Sequence, residues 1–278
     1  MKPKNTLHKE FDPPEALENT IKCFWYNDSD FGDLETGFEV IPDGYVEIIF
    51  HFGNGCKILS HGELTDLPSP FLVGLLNHPV YFYTSGRLQI LAIRCFPWTV
   101  FDLLRLKAGK EGIHIFEHSV AELHPYLAVR IEEKKINEAI GFLKDYFTGI
   151  CSDAASDTLL YKAGTAIRKG GGSLPVTRIA DSAHATVRTL ERKFKQSSGH
   201  TVKDVSGLIR FEKVRNHLWT YPDCNLAELA LEAGYTDQAH LSKEFKRYCG
   251  TTPGKFARKA KNDNISGHDF VAFLQSPE

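Results

Sequence analysis

The stretch LSKEFKRYCGTT (Leu241–Thr252) restates LERKFKQSSGHT (Leu190–Thr201). Leu, Phe, Lys, Gly and Thr recur at 190/241, 194/245, 195/246, 199/250 and 201/252, a constant offset of 51. Upstream, Ile179-Ala180 matches Leu229-Ala230 at an offset of 50, so the second copy holds one more residue in its turn. A repeat of this length with matching apolar anchors means one structural unit present twice.

Each copy reads as two helices joined by a tight turn. In ELALEAGYTDQAHLSKEF (Glu228–Phe245), Leu229, Ala230 and Ala233 keep helical spacing, Gly234 interrupts it, and Leu241 and Phe245 resume it. Gly234 supplies the left-handed conformation that other residues adopt only at a cost, and the small Ala230 suits a close helix crossing. Asn225 followed by Glu228 predicts an Asn version of the capping box. A new helix is predicted from Thr236 or Asp237 to just before Gly250, and Thr252-Pro253 offers a cap and a first-turn proline for the next. Two helices about such a turn form the motif that lays its second helix in the major groove of DNA.

Projected at 100° per residue, Phe245 and Tyr248 fall within about 40° of Leu241 and face a core. Ala239, Lys243 and Lys246 then point outward, as do Arg188, Arg192 and Lys195 in the first copy, where Leu190 and Phe194 face in. The candidate DNA contacts are Arg188, Glu191, Arg192 and Lys195 in the first unit, and Gln238, Ala239, Ser242, Lys243 and Lys246 in the second. Arginine can donate two hydrogen bonds to guanine, and glutamine can pair with adenine. Lys195 and Lys246 suit phosphates, which position a protein without reading sequence. Any one of these cations, taken alone, reads more readily as a solvated surface group than as a DNA contact; two matched basic faces together point to double-stranded DNA.

Charge divides the chain in the same place. Residues 1–155 carry 14 Lys+Arg against 22 Asp+Glu, whereas residues 156–261 carry 19 against 10. The formal net charge of −2 therefore hides an acidic half and a basic one, and the basic half is the one suited to a polyanion.

The first hundred residues read as strands: YVEIIFHF (Tyr45–Phe52) after a Pro-Asp-Gly turn, CKILS (Cys56–Ser60), VYFYT (Val80–Thr84) and RLQILAIRCF (Arg87–Phe96). Short strands at this spacing suggest a small barrel or sandwich. From Trp98 the pattern turns helical. KKINEAIGFLKDYF (Lys134–Phe147) carries an apolar stripe of Ile136, Ile140, Leu143 and Phe147, which fits packing within its own domain or a dimer seam. CSDAASD reads as a linker, and TLLYKAGTAIRKGGG (Thr158–Gly172) as a helix stopped by glycines. The expected fold is α+β and multidomain: a β-rich barrel or sandwich-like sensor or dimerisation domain with trailing helices over 1–150, a linker over 151–157, an all-α domain with two helix-turn-helix units over 158–261, and a loosely ordered acidic tail over 262–278.

No apolar run is long enough to span a membrane and the N-terminus lacks a signal-like core, so a cytoplasmic protein is expected. The six cysteines are scattered singly, as reduced thiols would be. His51, His61, Glu63 and His78 lie in the β-rich half at a spacing that matches no ligand motif. Cys23, Cys56, Cys95 and Cys151 raise a DNA-repair methyl acceptor, which requires clustered ligand cysteines that the sequence lacks. With no P-loop, Rossmann fingerprint or G-x-S-x-G elbow, neither an enzyme nor a cofactor or metal is expected. An enzyme or metal-binding domain fused to a DNA-targeting module is the alternative, since catalytic residues can lie far apart in sequence.

LAELALEAGYTDQAHLSKEFKRYCGTTPGKFAR (Leu226–Arg258), with Leu190, Arg192, Phe194 and Arg210, resembles the C-terminal signature of the AraC/XylS family of bacterial transcription regulators. The resemblance covers about 100 residues, from Ser156 to Arg258. It implies a long helix over about Val202–Trp219 that holds two recognition helices apart, each in a successive major-groove segment. It also implies an N-terminal domain that binds a small-molecule effector, forms a homodimer, or does both. WYN (Trp25–Asn27), VIPDGYVEIIFHFG (Val40–Gly53) and FLVGL (Phe71–Leu75) look like such a β-rich sensor-type domain. Three positions depart from the family pattern: His184 where a turn Gly is common, Val202 where the second unit has Pro253, and Lys243 where Arg is frequent. Lysine cannot make the bidentate fork, so Lys243 is expected to favour phosphate over base.

Overall fold

In the computed structural model, which describes residues 4–60, 62–104, 106, 112–151 and 158–263, the β-rich half is two antiparallel sheets. The strands are β1 (Lys4–Phe11), β2 (Ile21–Asp30), β3 (Thr36–Val40), β4 (Val46–Gly53), β5 (Lys57–Ser60), β6 (Glu63–Asp66), β7 (Phe71–Val73), β8 (Val80–Thr84), β9 (Arg87–Cys95) and β10 (Ile113–His114). The larger sheet runs β1-β2-β9-β4-β7-β10 and the smaller β3-β8-β5-β6.

The central strands of the larger sheet are apolar without alternation because both of their faces are covered. Val46, Ile48 and Phe50 of β4, with Leu91 and Ile93 of β9, belong to one core, while Ile49, Ile90 and Ala92 point the other way, into a second core shared with Phe38 and Phe82 of the smaller sheet.

Helices cover the outer face. They are α1 (Val100–Leu103), α2 (His124–Glu132) and α3 (Ile136–Cys151). In the apolar stripe of α3, Ile140, Leu143 and Phe147 are buried and Ile136 packs half-buried against the same core. Phe147 meets Phe24 of β2 edge-on, with ring centres 6.3 Å apart. The stripe is therefore filled by the chain's own sheet, and the dimer-seam alternative for this face falls away.

The second half is helical: α4 (Thr158–Lys169), α5 (Val176–Ser182), α6 (Val187–Ser198), α7 (Val202–Thr220), α8 (Leu226–Glu232), α9 (Gln238–Cys249) and α10 (Pro253–Asp263). Two boundaries move from those read in the sequence. Cys151 closes α3 rather than opening a linker, and α10 continues two residues past Lys261. The rest of the linker and of the acidic tail, 152–157 and 264–278, lies outside the described residues.

The two halves share a buried junction. Trp98 packs over α4 at Gly164, so closely that a methyl group there would sit 2.2 Å from the indole. Its ring centre lies 6.1 Å from that of Phe194 on α6. Arg215 of α7, 3% exposed, donates to the Pro42 carbonyl at 2.9 Å. Arg168 donates to the Tyr45 hydroxyl, and the guanidinium carbons of Arg94 and Arg168 lie 4.8 and 5.0 Å from the centre of the Tyr45 ring. Arg94 in turn pairs with Asp43 and Glu47.

Candidate nucleic-acid interface

The repeat read in the sequence is a repeat in space. Helices α5 and α8 are each 7 residues long, and α6 and α9 each 12. Thr186 and Asp237 cap α6 and α9 by accepting the backbone N–H three residues on, and Gly199 and Gly250 close them at φ of 73° and 70°. The turn positions also match. Gly234 has φ of 80° and His184 has φ of 53°, so the histidine takes the left-handed conformation itself and the turn keeps its form. The extra residue of the second copy falls here, between Ala233 and Asp237, where the first unit has only Ala183 to Thr186.

One capping detail differs from the reading of the sequence. Asn225 does cap α8, accepting the Ala227 N–H at 2.9 Å, but Glu228 takes a hydrogen bond from the Asn225 side-chain amide rather than from the cap backbone. The reciprocal capping box lies instead at the start of α7. There the Thr201 hydroxyl accepts the Asp204 N–H, and the Asp204 carboxylate accepts the Thr201 N–H, each at 3.1 Å. Burial pushes the Asp204 carboxyl up, but the Thr201 bonds, helped by His200 and Arg247, outweigh it and hold the group below the ordinary aspartate range.

The inward residues of both second helices are buried: Leu190 and Phe194 in α6, and Leu241, Phe245 and Tyr248 in α9. Arg188, Arg192, Lys195, Gln238, Ala239, Lys243 and Lys246 are all exposed, and Ser242 is half-exposed beside them. Glu191 is half-buried, with its carboxylate turned to the root of α7, where it accepts the Val202 N–H at 3.2 Å.

Helix α7 joins the two units. Arg210 on it grips α9 through Glu244, with N–O distances of 2.9 and 3.0 Å from one guanidinium nitrogen. The guanidinium carbon also stands 4.6 Å from the centre of the Tyr235 ring in the second turn. Phe211, one residue on, meets Phe245 and Tyr248 at ring distances of 5.1 and 5.2 Å.

Not all of the positive charge of this half faces outward. Arg168, Arg210 and Arg215 are engaged at the junction or between helices. The inward role of Arg215 had a signal in the sequence, since it falls on the stripe of Leu208, Phe211 and Leu218 at spacings of three and four.

In the β-rich half the His51 ring bonds the carbonyls of Leu67 and Pro68, and His78 bonds that of Pro79, while His61 lies outside the described residues. Among the described residues no three His, Cys, Asp or Glu side chains gather as a metal-binding group, and all six cysteines are free thiols.

A family model described as a helix-turn-helix domain matches residues 179–259, the two units and the helix between them. This segment is a helix-turn-helix domain. A second model, a domain of unknown function (DUF6597), matches residues 9–110. The chain is 29% identical over 93 residues to the Msm operon regulatory protein of Streptococcus mutans, covering 34% of this chain and 33% of that protein. It is 35% identical over 75 residues to the transcriptional activator RhaS of Escherichia fergusonii, covering 27% of each. The match thus spans about a third or less of the length of these relatives. Among solved structures, ToxT from Vibrio cholerae aligns with a TM-score of 0.47 at 14% identity, covering 84% of this chain and 97% of that one. The DNA-binding domain of AdpA in complex with a target DNA aligns at 0.36 and 21%, covering 39% and 97%. No helix among the described residues is long and apolar enough to cross a membrane.

Proposed function

We propose that the protein is a cytoplasmic, sequence-specific transcription regulator whose two second helices, α6 and α9, enter successive major-groove segments of double-stranded DNA. The observation that carries the reading is the pair of matched reading helices with exposed basic faces, held to one rigid helix, α7. Arg188, Arg192 and Gln238 meet base edges, with Ala239 and Ser242 beside them. Lys195, Lys243 and Lys246 meet phosphates, and Glu191 sets the angle between α6 and α7. No reaction is assigned to the chain.

In this reading residues 1–150 form the input domain and receive a small-molecule effector. Support comes from an apolar cleft of about 470 Å³ lined by residues that include Ile58, Leu59, Leu76, Pro79, Tyr83 and Ile113, within the range of small-molecule sites. Pro79 on its rim lies against the C-terminal cap of α9, 3.6 Å from where a side chain at Gly250 would begin. A ligand in the cleft would therefore press on the seat of the second reading helix. A homodimer remains part of the proposal, through a surface other than the buried stripe of α3.

Binding-site selection on genomic DNA with the full-length protein tests the reading. Enriched sites with two contacted segments about one helical turn apart support it. Enrichment of no sequence overturns it.

A further inference from the structure

The two reading helices have the same length, the same class of cap and the same inward anchors, so their exposed positions can be compared one for one. Val187 corresponds to Gln238, Arg188 to Ala239, Glu191 to Ser242, Arg192 to Lys243 and Lys195 to Lys246.

In α6 the Glu191 carboxylate is turned to the Val202 N–H. The groups left to reach base edges are the two guanidinium forks of Arg188 and Arg192, one turn apart on the exposed face. Among the bases, guanine presents two acceptors side by side in the major groove, which is what a fork requires. In α9 the partner of position 242 is Pro253, which has no N–H, so Ser242 is not drawn into the same joint. Here Gln238 offers the donor–acceptor pair that fits adenine, and Ala239 offers a methyl group that fits the thymine methyl. Lys243 is a point charge without a fork. The N-cap differs as well: Asp237 puts a carboxylate at the tip of α9, where α6 has the neutral Thr186.

We infer that the target is asymmetric. A guanine-bearing box lies under α6, and an A·T box lies under α9 about one helical turn, roughly 10–10.5 base pairs, away. The inference rests on the regulator reading above and adds to it the base composition of each box and the residues that set it.

The test is the selection with the full-length protein, repeated with R188A, R192A and the double variant A239R/K243R. Expected is a consensus of two unlike boxes. R188A and R192A relax the guanines of the first box alone and weaken binding to the consensus by roughly 5- to 150-fold. A239R/K243R, at exposed positions where arginine is compatible with a helix, brings guanine into the second box. Two guanine boxes with the unaltered protein, or relaxation of the A·T box by R188A, overturns the inference and leaves the regulator reading standing. Failure of A239R/K243R to change the second box while it still binds DNA also overturns it. No enriched sequence at all overturns the regulator reading and the inference with it.

Discussion

The Glu191 carboxylate and the Val202 backbone N–H are joined at 3.2 Å across the corner between α6 and α7. In the second unit both positions differ together, as Ser242 and Pro253. An N–H at the first turn of a helix needs an acceptor, and proline removes the N–H. The two units therefore hold alternative solutions to one joint. Glu191→Ala is expected to cost about 1 kcal/mol. Adding Val202→Pro should recover most of it, because Thr201 already has the extended backbone a following proline demands. Urea unfolding of the four proteins of this cycle checks the coupling; purely additive losses would show that there is none.

On DNA, Gln238→Ala should cost roughly 1–3 kcal/mol at the cognate site and relax specificity at one position. Lys246→Ala should weaken binding to every sequence alike and reduce the slope of log affinity against log salt by about one. Titrations at several salt concentrations separate the two behaviours.

Arg210 and Glu244 are each 17% exposed, between a surface pair and a buried one. Arg210→Ala leaves a half-buried carboxylate without its partner, at a cost of about 2 kcal/mol. Because this pair holds α9 against α7, affinity for a two-box site should fall although no group facing DNA has changed. Thermal unfolding together with DNA titration reads both effects, and unaltered DNA affinity would argue against the clamp.

Gly164→Ala places a methyl group inside the contact with Trp98. The expected loss is about 1–3 kcal/mol from overpacking, with tryptophan emission shifted to the red as the ring is driven toward water. A silent substitution would mean that the two halves are less tightly joined than the junction indicates.

The capping box of α7 carries a pH dependence. The Asp204 carboxyl is held below the ordinary aspartate range in the folded protein, so its contribution is fully present above the unfolded value and is lost as pH falls through the lowered folded one. Asp204→Asn should flatten this part of the acid-unfolding curve and cost about 1 kcal/mol at neutral pH.

Much of the helical half was legible because its information is local and occurs twice. The offset of 51, the glycines at 199 and 250 and the apolar anchors at 190/241 and 194/245 each reported on the same corner. The β-rich half was harder to read. The runs that became β4, β5, β8 and β9 were visible, but β2 ends in the polar NDSD and β6 is exposed throughout, so neither carries an apolar signal along its whole length. Trp98 and Arg168 gave no hint of the junction, since contacts between residues distant in sequence leave no periodicity. The engagement of Glu191 was also hidden, because an outward-facing carboxylate and one turned toward a helix root look alike in sequence.

One apolar cluster passes unbroken from Leu17 in the first half to Ala260 in α10. The division that charge draws near residue 155 is thus one of surface and not of interior. Cut from the β-rich half, the helical half would carry a bare flank at Phe194 and Ile209, which now meet Trp98 and Gly44. The two halves should melt as a single cooperative unit.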